Sequence, residues 1–294
     1  MNNKQTMKRT ILSASLIMAA YVMMAQKQIT VTVSNAANHD KTDAPIVLKL
    51  DKYTFNVKSA LVTEEGTEVP CQLDDLDQNG KNDELCFVTN IPKKGRKTFT
   101  VTLYPTGKPR TYAARTYAEM LLPNKKIKEK NKQNIYISSL TVDKGSATPY
   151  SAVHHHGVAF ESELTAFRIY FDHRQTVDLY GKFHKRLELK DTQFYPDNKQ
   201  KATGYGDDVL WVGNTFGLGA MRGWNGKKQQ TLDDVEHRTQ RIIASGPVRA
   251  IVEVMDEGWI ADKSKEPIDM TVRYTIYAGH RDCDVDVDFR QPVN

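Results

Sequence analysis

Cysteine is scarce in this chain. Cys71, Cys86 and Cys283 are its 3 cysteines in 294 residues, too few for a disulfide scaffold, so a hydrophobic core must hold the fold. Two readings of the thiols stay open: a Cys71–Cys86 bridge closing a loop of ordinary size, or three small buried side chains. Long apolar runs are missing too. The one apolar stretch, Ile11 to Ala25, has 15 residues and is too short to span a bilayer. No Cys-x-x-Cys pair, Gly-x-Ser-x-Gly elbow or Walker glycine loop occurs. Dithiol redox chemistry, the serine-hydrolase elbow and P-loop phosphoryl transfer are thereby set aside. Low-complexity tracts and internal repeats are absent. With 39% hydrophobic and 26% charged residues, the composition excludes a disordered, collagenous or multi-span membrane protein.

What is present begins with an address. Lys4, Lys8 and Arg9 precede the apolar stretch and the small residue Ala25 closes it. This is the pattern of a secretory signal peptide over residues 1–25, with cleavage before Gln26. The expected location is periplasmic or extracellular, with no membrane span after cleavage. Those residues hold three cations and no acid, which leaves 38 Lys and Arg against 36 Asp and Glu and a net charge of +2 rather than +5. The one dense cationic run, Lys125 to Lys132, reads as a solvated linker, and no nucleic-acid partner is expected.

The remaining pattern has a period of two. Ile29 to Val33, Ile46 to Leu50, Thr98 to Leu103 and Val285 to Phe289 alternate or run β-branched, with turn punctuation such as Gln78-Asn79-Gly80 between them. The best helical candidate, Tyr117 to Lys130, is interrupted by Pro123. An all-β antiparallel architecture follows. A small N-terminal β-sandwich is expected over residues 26–105, a linker with the lysine run over 106–145, and a larger sandwich over 146–294. The last strand stops at Phe289, an abrupt finish that leads to the expectation of a truncated second sheet.

The most specific local motif runs from Asp75 to Glu84. Asp75, Asp77, Asn79, the Lys81 carbonyl and Asp83 occupy the first, third, fifth, seventh and ninth ligand positions of an EF-hand loop, with Gly80 at the sixth. The twelfth position is Cys86, so the bidentate glutamate is missing. A structural calcium clip and a plain Asx-rich hairpin turn both fit. No nucleotide cofactor is expected.

A second constellation is His154-His155-His156, followed by Glu161, Glu163, Arg168 and Tyr170. On a strand, His154 and His156 would share one side and His155 the other. A histidine or tyrosine with a glutamate partner provides general base and acid, and an arginine pairs with a carboxylate. The zinc-protease spacing of two histidines is absent, and a polar loop with a chance histidine run is the structural alternative. The glycines Gly213, Gly217, Gly219 and Gly223 miss dinucleotide spacing and read as tight strand packing or a ligand-facing loop. Asp282, Asp284, Asp286 and Asp288 read as a solvated strand face. Trp211, Trp224 and Trp259 are candidates for sugar-stacking platforms as well as for core positions.

Several of these blocks, in order, resemble the domain-of-unknown-function family numbered 4861. They are Pro70 to Asp77 with Asp83 to Leu85, His155 to Gly157 with Glu161 to Glu163, Ala166 to Phe171, Val177 to Lys182, Gly217 to Gly219 and Ser245 to Arg249. The resemblance implies an exported bacterial protein encoded among polysaccharide-degradation genes, beside enzymes acting on pectin-like, uronate-containing glycans. It also implies a longer chain than this one. Ser245 to Ala250 and Thr271 to Gly279 are similar to the strand pattern of galactose-mutarotase-like supersandwiches, which implies fold but not function. The expectation is a carbohydrate-active protein of lyase or hydrolase type acting on an acidic oligo- or polysaccharide. The alternative is a noncatalytic glycan-binding module with a calcium-clipped β-sandwich.

Overall fold

A computed structural model of the chain describes residues 26–124, 126–129, 132, 135–143, 149–261 and 266–292. The signal-peptide segment lies outside these residues, as do Lys125, Lys130 and Asn131 of the lysine run. Among the described residues no helix is long and apolar enough to cross a membrane.

The first unit contains β1 (Lys27–Ser34), β2 (Lys41–Lys49), β3 (Ser59–Glu64), β4 (Thr67–Val69), β5 (Cys71–Asp74), β6 (Glu84–Ile91) and β7 (Arg96–Tyr104). They form two antiparallel sheets, ordered β1-β7-β3-β4 and β2-β6-β5. Alternation does the sorting. Ile29, Val31 and Val33 turn one face of β1 onto a core of Val62, Leu85, Phe87, Phe99, Val101 and Leu103, while the intervening residues meet water. Burial of each large side chain contributes about 1.5–3 kcal/mol. The register decides the cysteine question: Cys71 pairs with Phe87 and Gln72 with Cys86, so the two thiols leave the sheet on opposite faces. Both are free and buried, and burial raises them to about 11 and about 12 respectively.

The second unit contains β8 (Thr116–Glu119), β9 (Leu121–Leu122), β10 (Ile135–Tyr136), β11 (Ser139–Asp143), β12 (Gly157–Ser162), β13 (Thr165–Tyr170) and β14 (Val177–Gly181). It continues with β15 (Asp207–Asp208), β16 (Gly223–Trp224), β17 (Gln229–Gln230), β18 (His237–Ser245), β19 (Arg249–Trp259), β20 (Ile268–Tyr277) and β21 (Cys283–Phe289). Two five-stranded antiparallel sheets, β15-β14-β13-β12-β8 and β11-β18-β19-β20-β21, face each other; β9 with β10 and β16 with β17 form short ribbons. The chain is all-β. The stretch from Tyr117, expected as the best helix, instead supplies β8 and β9, because Ala118 and Met120 point into the sandwich while Tyr117 and Glu119 point out of it. Four strands thus come from the stretch expected as a linker. In β21, the residues between Cys283 and Phe289 are all exposed, so Asp284, Asp286 and Asp288 do lie on a solvated edge.

The sheet led by β15 has two unlike faces. Inward, Val158, Phe160, Phe167, Ile169 and Val177 meet Ala250, Val252, Val254, Val272 and Ile276 of the opposite sheet. Outward point Glu119, Glu161, Arg168, Tyr170, Asp178 and Tyr180. The segment after β14, with helical turns at Leu189–Thr192 and Asn198–Ala202, folds back over this outer face and seats Leu189 and Phe194 against Ala159, Ala166 and Tyr180.

The two units are joined by buried polar contacts. Gln72 Oε1 accepts the N–H groups of Val248 and Arg249 at 3.0 and 3.1 Å, and Arg249 donates to Asp74 and Glu84 at 2.7 and 2.8 Å. The Ser245–Arg249 block, one of the motifs of the sequence, is therefore a docking element between the sandwiches.

Candidate functional site

Strand alternation carries Arg168 and Tyr170 to the outer face of β13, and the register sets Arg168 opposite Asp178 of β14. Arg168 is 3% exposed and donates through Nε and Nη2 to Asp178 Oδ2 at 2.9 and 2.5 Å. The same Nη2 reaches Asp208 at 2.9 Å and the Tyr170 hydroxyl at 3.2 Å, while Nη1 donates to the hydroxyl of Tyr195. The Phe194 ring packs on the guanidinium at 4.2 Å. The guanidinium is thus neutralised by two carboxylates before any ligand arrives. It fixes its neighbours and has little donor capacity left for a substrate carboxylate.

The histidine run is a tight 3-10 turn at His154–His156 rather than the strand its alternation suggested. His155 and His156 take left-handed backbone angles, φ 44 and 72, which open the turn and part the His156 ring from those of His154 and His155, whose centroids stay 5.3 Å apart. Gly157 then starts β12 so close to β13 that a side chain there would meet the Ile169 carbonyl at 1.8 Å. The His156 ring stacks on Tyr150 with centroids 3.9 Å apart, and its Nδ1 lies 3.1 Å from the Tyr150 carbonyl. A carbonyl only accepts, so the proton sits on Nδ1 and Nε2 keeps its lone pair. Burial lowers the His156 imidazole below its ordinary range and keeps it neutral.

His155 goes the other way, to full burial beside Glu119, with Nε2 and Oε1 3.3 Å apart. These two atoms, His155 Nδ1 and His154 Nε2 are buried without a well-formed hydrogen bond. Burial pushes Glu119 up to about 8, His155 down to about 3 and His154 down to about 4. All three are un-ionised near neutrality, and none of them lines the cleft described next.

That cleft, about 570 Å³, is lined by Tyr150, His156, Arg168, Tyr170, Asp178 and Asp208, with residues 209–213 as its rim. Tyr170 donates to Asp178 at 3.0 Å, and burial raises its hydroxyl far above the physiological range, so it stays protonated. Asp208 is half-buried, and burial raises its carboxyl against the opposing pull of Arg168. The cleft therefore offers a neutral imidazole with a free lone pair, an un-ionised phenol and one partly exposed carboxylate. That is a proton-transfer set. Gly213 belongs to the rim of the cleft, while Gly217 packs tightly against Val177.

Glu161 and Glu163 stand elsewhere. Glu161 is fully buried, held by Lys182 Nζ and by the backbone N–H groups of Glu188 and Leu189 at about 2.9–3.0 Å. Burial raises Glu161 to about 7 and lowers Lys182, and the contact between them offsets both effects. Glu163 accepts from Arg115 at 2.5 Å and from the Gly279 N–H at 2.8 Å, in a joint that Arg115 extends to Asp43 of the first unit at 2.8 Å. Neither glutamate lines the cleft.

The Asp-rich loop lies between β5 and β6. Asp75, Asp77 and Asp83 bring carboxylate oxygens within 4.8 Å of one another, close enough for one oxygen-loving cation. The same carboxylates accept backbone N–H groups of the loop: Asp75 from Asn79 and Gly80, Asp77 from Asn79 in an Asx turn, and Asp83 from Leu76. Asn79 Oδ1 turns to the Lys81 N–H. Cys86, at the twelfth position, is buried in β6.

Of the residues picked out from sequence, the cleft unites His156, Arg168 and Tyr170. Trp211, read from sequence as a candidate stacking platform or core residue, stands on its rim, and Tyr150 and Asp208, which were not picked out, complete it. Tyr150 comes from a short turn at Pro149–Ser151 and Asp208 from β15, and no local pattern marks either; the Asp207-Asp208 pair just before Trp211 was the nearest hint. The family model titled "Domain of unknown function (DUF4861)" matches residues 33–294. No curated protein matches the chain.

Proposed function

Because the chain belongs to the DUF4861 family, whose title carries no reaction, we propose its function from the site itself: an exported carbohydrate-active protein that acts on uronate-containing, pectin-like glycans by β-elimination. The observation that carries this reading is the pairing of a neutral His156 and a protonated Tyr170 in one cleft. An imidazole takes a proton from carbon only where that C–H is acidified, as it is beside a uronate carboxyl group whose charge is neutralised. His156 Nε2 removes the C5 proton, the C–H electrons form the C4–C5 double bond, the C4–O bond breaks, and Tyr170 gives its proton to the leaving oxygen. Arg168 acts as a positioning residue, holding Tyr170 and Asp208 in place. A hydrolase instead needs two carboxyl groups flanking the bond with room for water. Here Asp178 is fully buried and Asp208 shares its arginine nitrogen, which favours the lyase over the hydrolase. The same reading puts a structural calcium ion on Asp75, Asp77 and Asp83.

A glycan-binding module without turnover is the second reading, favoured by the full exposure of Trp211 beside the cleft. Incubation with uronate oligosaccharides, with and without calcium, separates the two. Lyase action gives products with an unsaturated uronate absorbance whose masses sum to that of the substrate. A hydrolase adds one water. Binding without products supports the module. A thermal midpoint unmoved by calcium removes the ion from the proposal.

A further inference from the structure

Trp211 is 96% exposed, more than any other large apolar side chain among the described residues. An indole carries about 150–250 Å² of surface, and leaving it in water stabilises nothing in the fold. Its backbone is nonetheless anchored. The Val209 N–H donates to Leu179 O at 3.2 Å, the Thr215 N–H to Val212 O at 2.9 Å, and Arg174 holds the Gly213 carbonyl at 3.1 Å. Val212, next in the chain, is buried. Gly213 turns in the left-handed region, φ 52, which favours glycine, and its missing side chain lies beside the indole nitrogen. A fixed segment thus presents a free ring.

The ring shares its cleft with His156, Tyr170 and Asp208, so an apolar plane adjoins a cluster of hydrogen-bonding groups. A pyranose matches that combination, with C–H groups on one face and hydroxyls around its edge. The cleft volume of about 570 Å³ is in the range of about 300–1,000 Å³ that takes drug-sized ligands, more than one sugar ring fills. We propose that Trp211 is a sugar-stacking subsite beside the His156–Tyr170 pair, so that the protein takes chains of two or more sugar units rather than single sugars. This rests on the reading of the cleft as a sugar site.

Calorimetric titration of the full chain with galacturonate oligomers of one to four units tests it. Wild-type affinity is expected to step up between one unit and two. Trp211→Ala weakens binding of the longer oligomers about 30-fold, the size of a hot-spot truncation, and leaves the single sugar unchanged, while Trp211→Phe keeps most of the step. If Trp211→Ala binds oligomers as wild type does while His156→Ala still abolishes turnover, the subsite is refuted and the cleft reading stands. If the wild type binds no oligomer of any length, the cleft reading itself fails. A change of elution volume in Trp211→Ala with glycan binding intact assigns the ring to self-association and overturns the subsite.

Discussion

The outer face of the β8–β15 sheet has two ends that look alike in sequence and differ in space. At one, Glu161 and Lys182 are sealed under the covering segment, every carboxylate oxygen met by a donor. At the other, His156, Tyr170 and Asp208 line an open cleft, where His156 Nε2 keeps its lone pair while the Tyr170 hydroxyl is shared between Asp178 and Arg168. Charge density alone does not separate a site from a structural clasp. The separating feature is whether the pairing is complete. A buried ion pair with all its hydrogen bonds made is poor catalytic material, because moving a proton there breaks contacts that the fold depends on.

Breaking the sealed end gives the largest expected effect. Lys182→Met leaves Glu161 buried without its counter-charge and lowers stability by about 3–5 kcal/mol, read from denaturant unfolding. Adding Glu161→Gln to Lys182→Met recovers part of the loss. A single variant as stable as the wild type would show the two ends to be equivalent.

At the open end the effect falls on rate. On a turned-over substrate, Tyr170→Phe or His156→Ala lowers kcat about 10²–10⁴-fold, and Tyr170→Phe moves the thermal midpoint little. The pH profile sharpens the same contrast. The base works when neutral, and burial holds His156 below its ordinary value of about 6.5, so the acid limb of the rate falls below that pH. Tyr170 adds no alkaline limb in the physiological range. An acid limb above pH 7 would exclude His156 as the base.

A smaller effect is expected from His155 and Glu119 behind the cleft. Below pH 6.5 the unfolded chain binds the proton that folded His155 refuses until about 3, so stability falls as pH falls through that window. Glu119 in the folded chain keeps until about 8 a proton that the unfolded chain loses near 4.5, so stability falls as pH rises through that one. The two slopes cancel between about 4.5 and 6.5, giving a plateau. Glu119→Gln removes the decline on the alkaline side. Unfolding free energies of both proteins across that range check it.

Much of the fold was legible as alternation. The runs at Ile29 to Val33 and Thr98 to Leu103 lie within β1 and β7, because a strand with one wet face has to alternate. Tyr117 misled because the two-residue β9 is too short to show a period. The site was legible only where one strand carries it. Arg168 and Tyr170 sit two apart on β13 and could be read together. His156 was found for the wrong geometry, since a left-handed turn leaves no periodic trace. Asp208 and Trp211 arrive from a segment that folds back across the sheet, and only tertiary structure brings them there. Glu161 and Glu163 looked catalytic because sequence shows a carboxylate but not the donors around it.

The joint at Arg249 has a further consequence, in how the molecule comes apart. Arg249 is buried and its charge is balanced by Asp74 and Glu84 of the other sandwich, so separating the sandwiches breaks two ion pairs and the Gln72 hydrogen bonds at once. The clasp of Asp43, Arg115 and Glu163 adds a second tie at another point of the same seam. With two such ties, neither sandwich melts while the other persists: heating gives one calorimetric peak for the whole chain, and Arg249→Ala splits it into two. The first sandwich lines none of the cleft, yet the lifetime of the cleft against heat and proteolysis is set in part by a guanidinium at the seam.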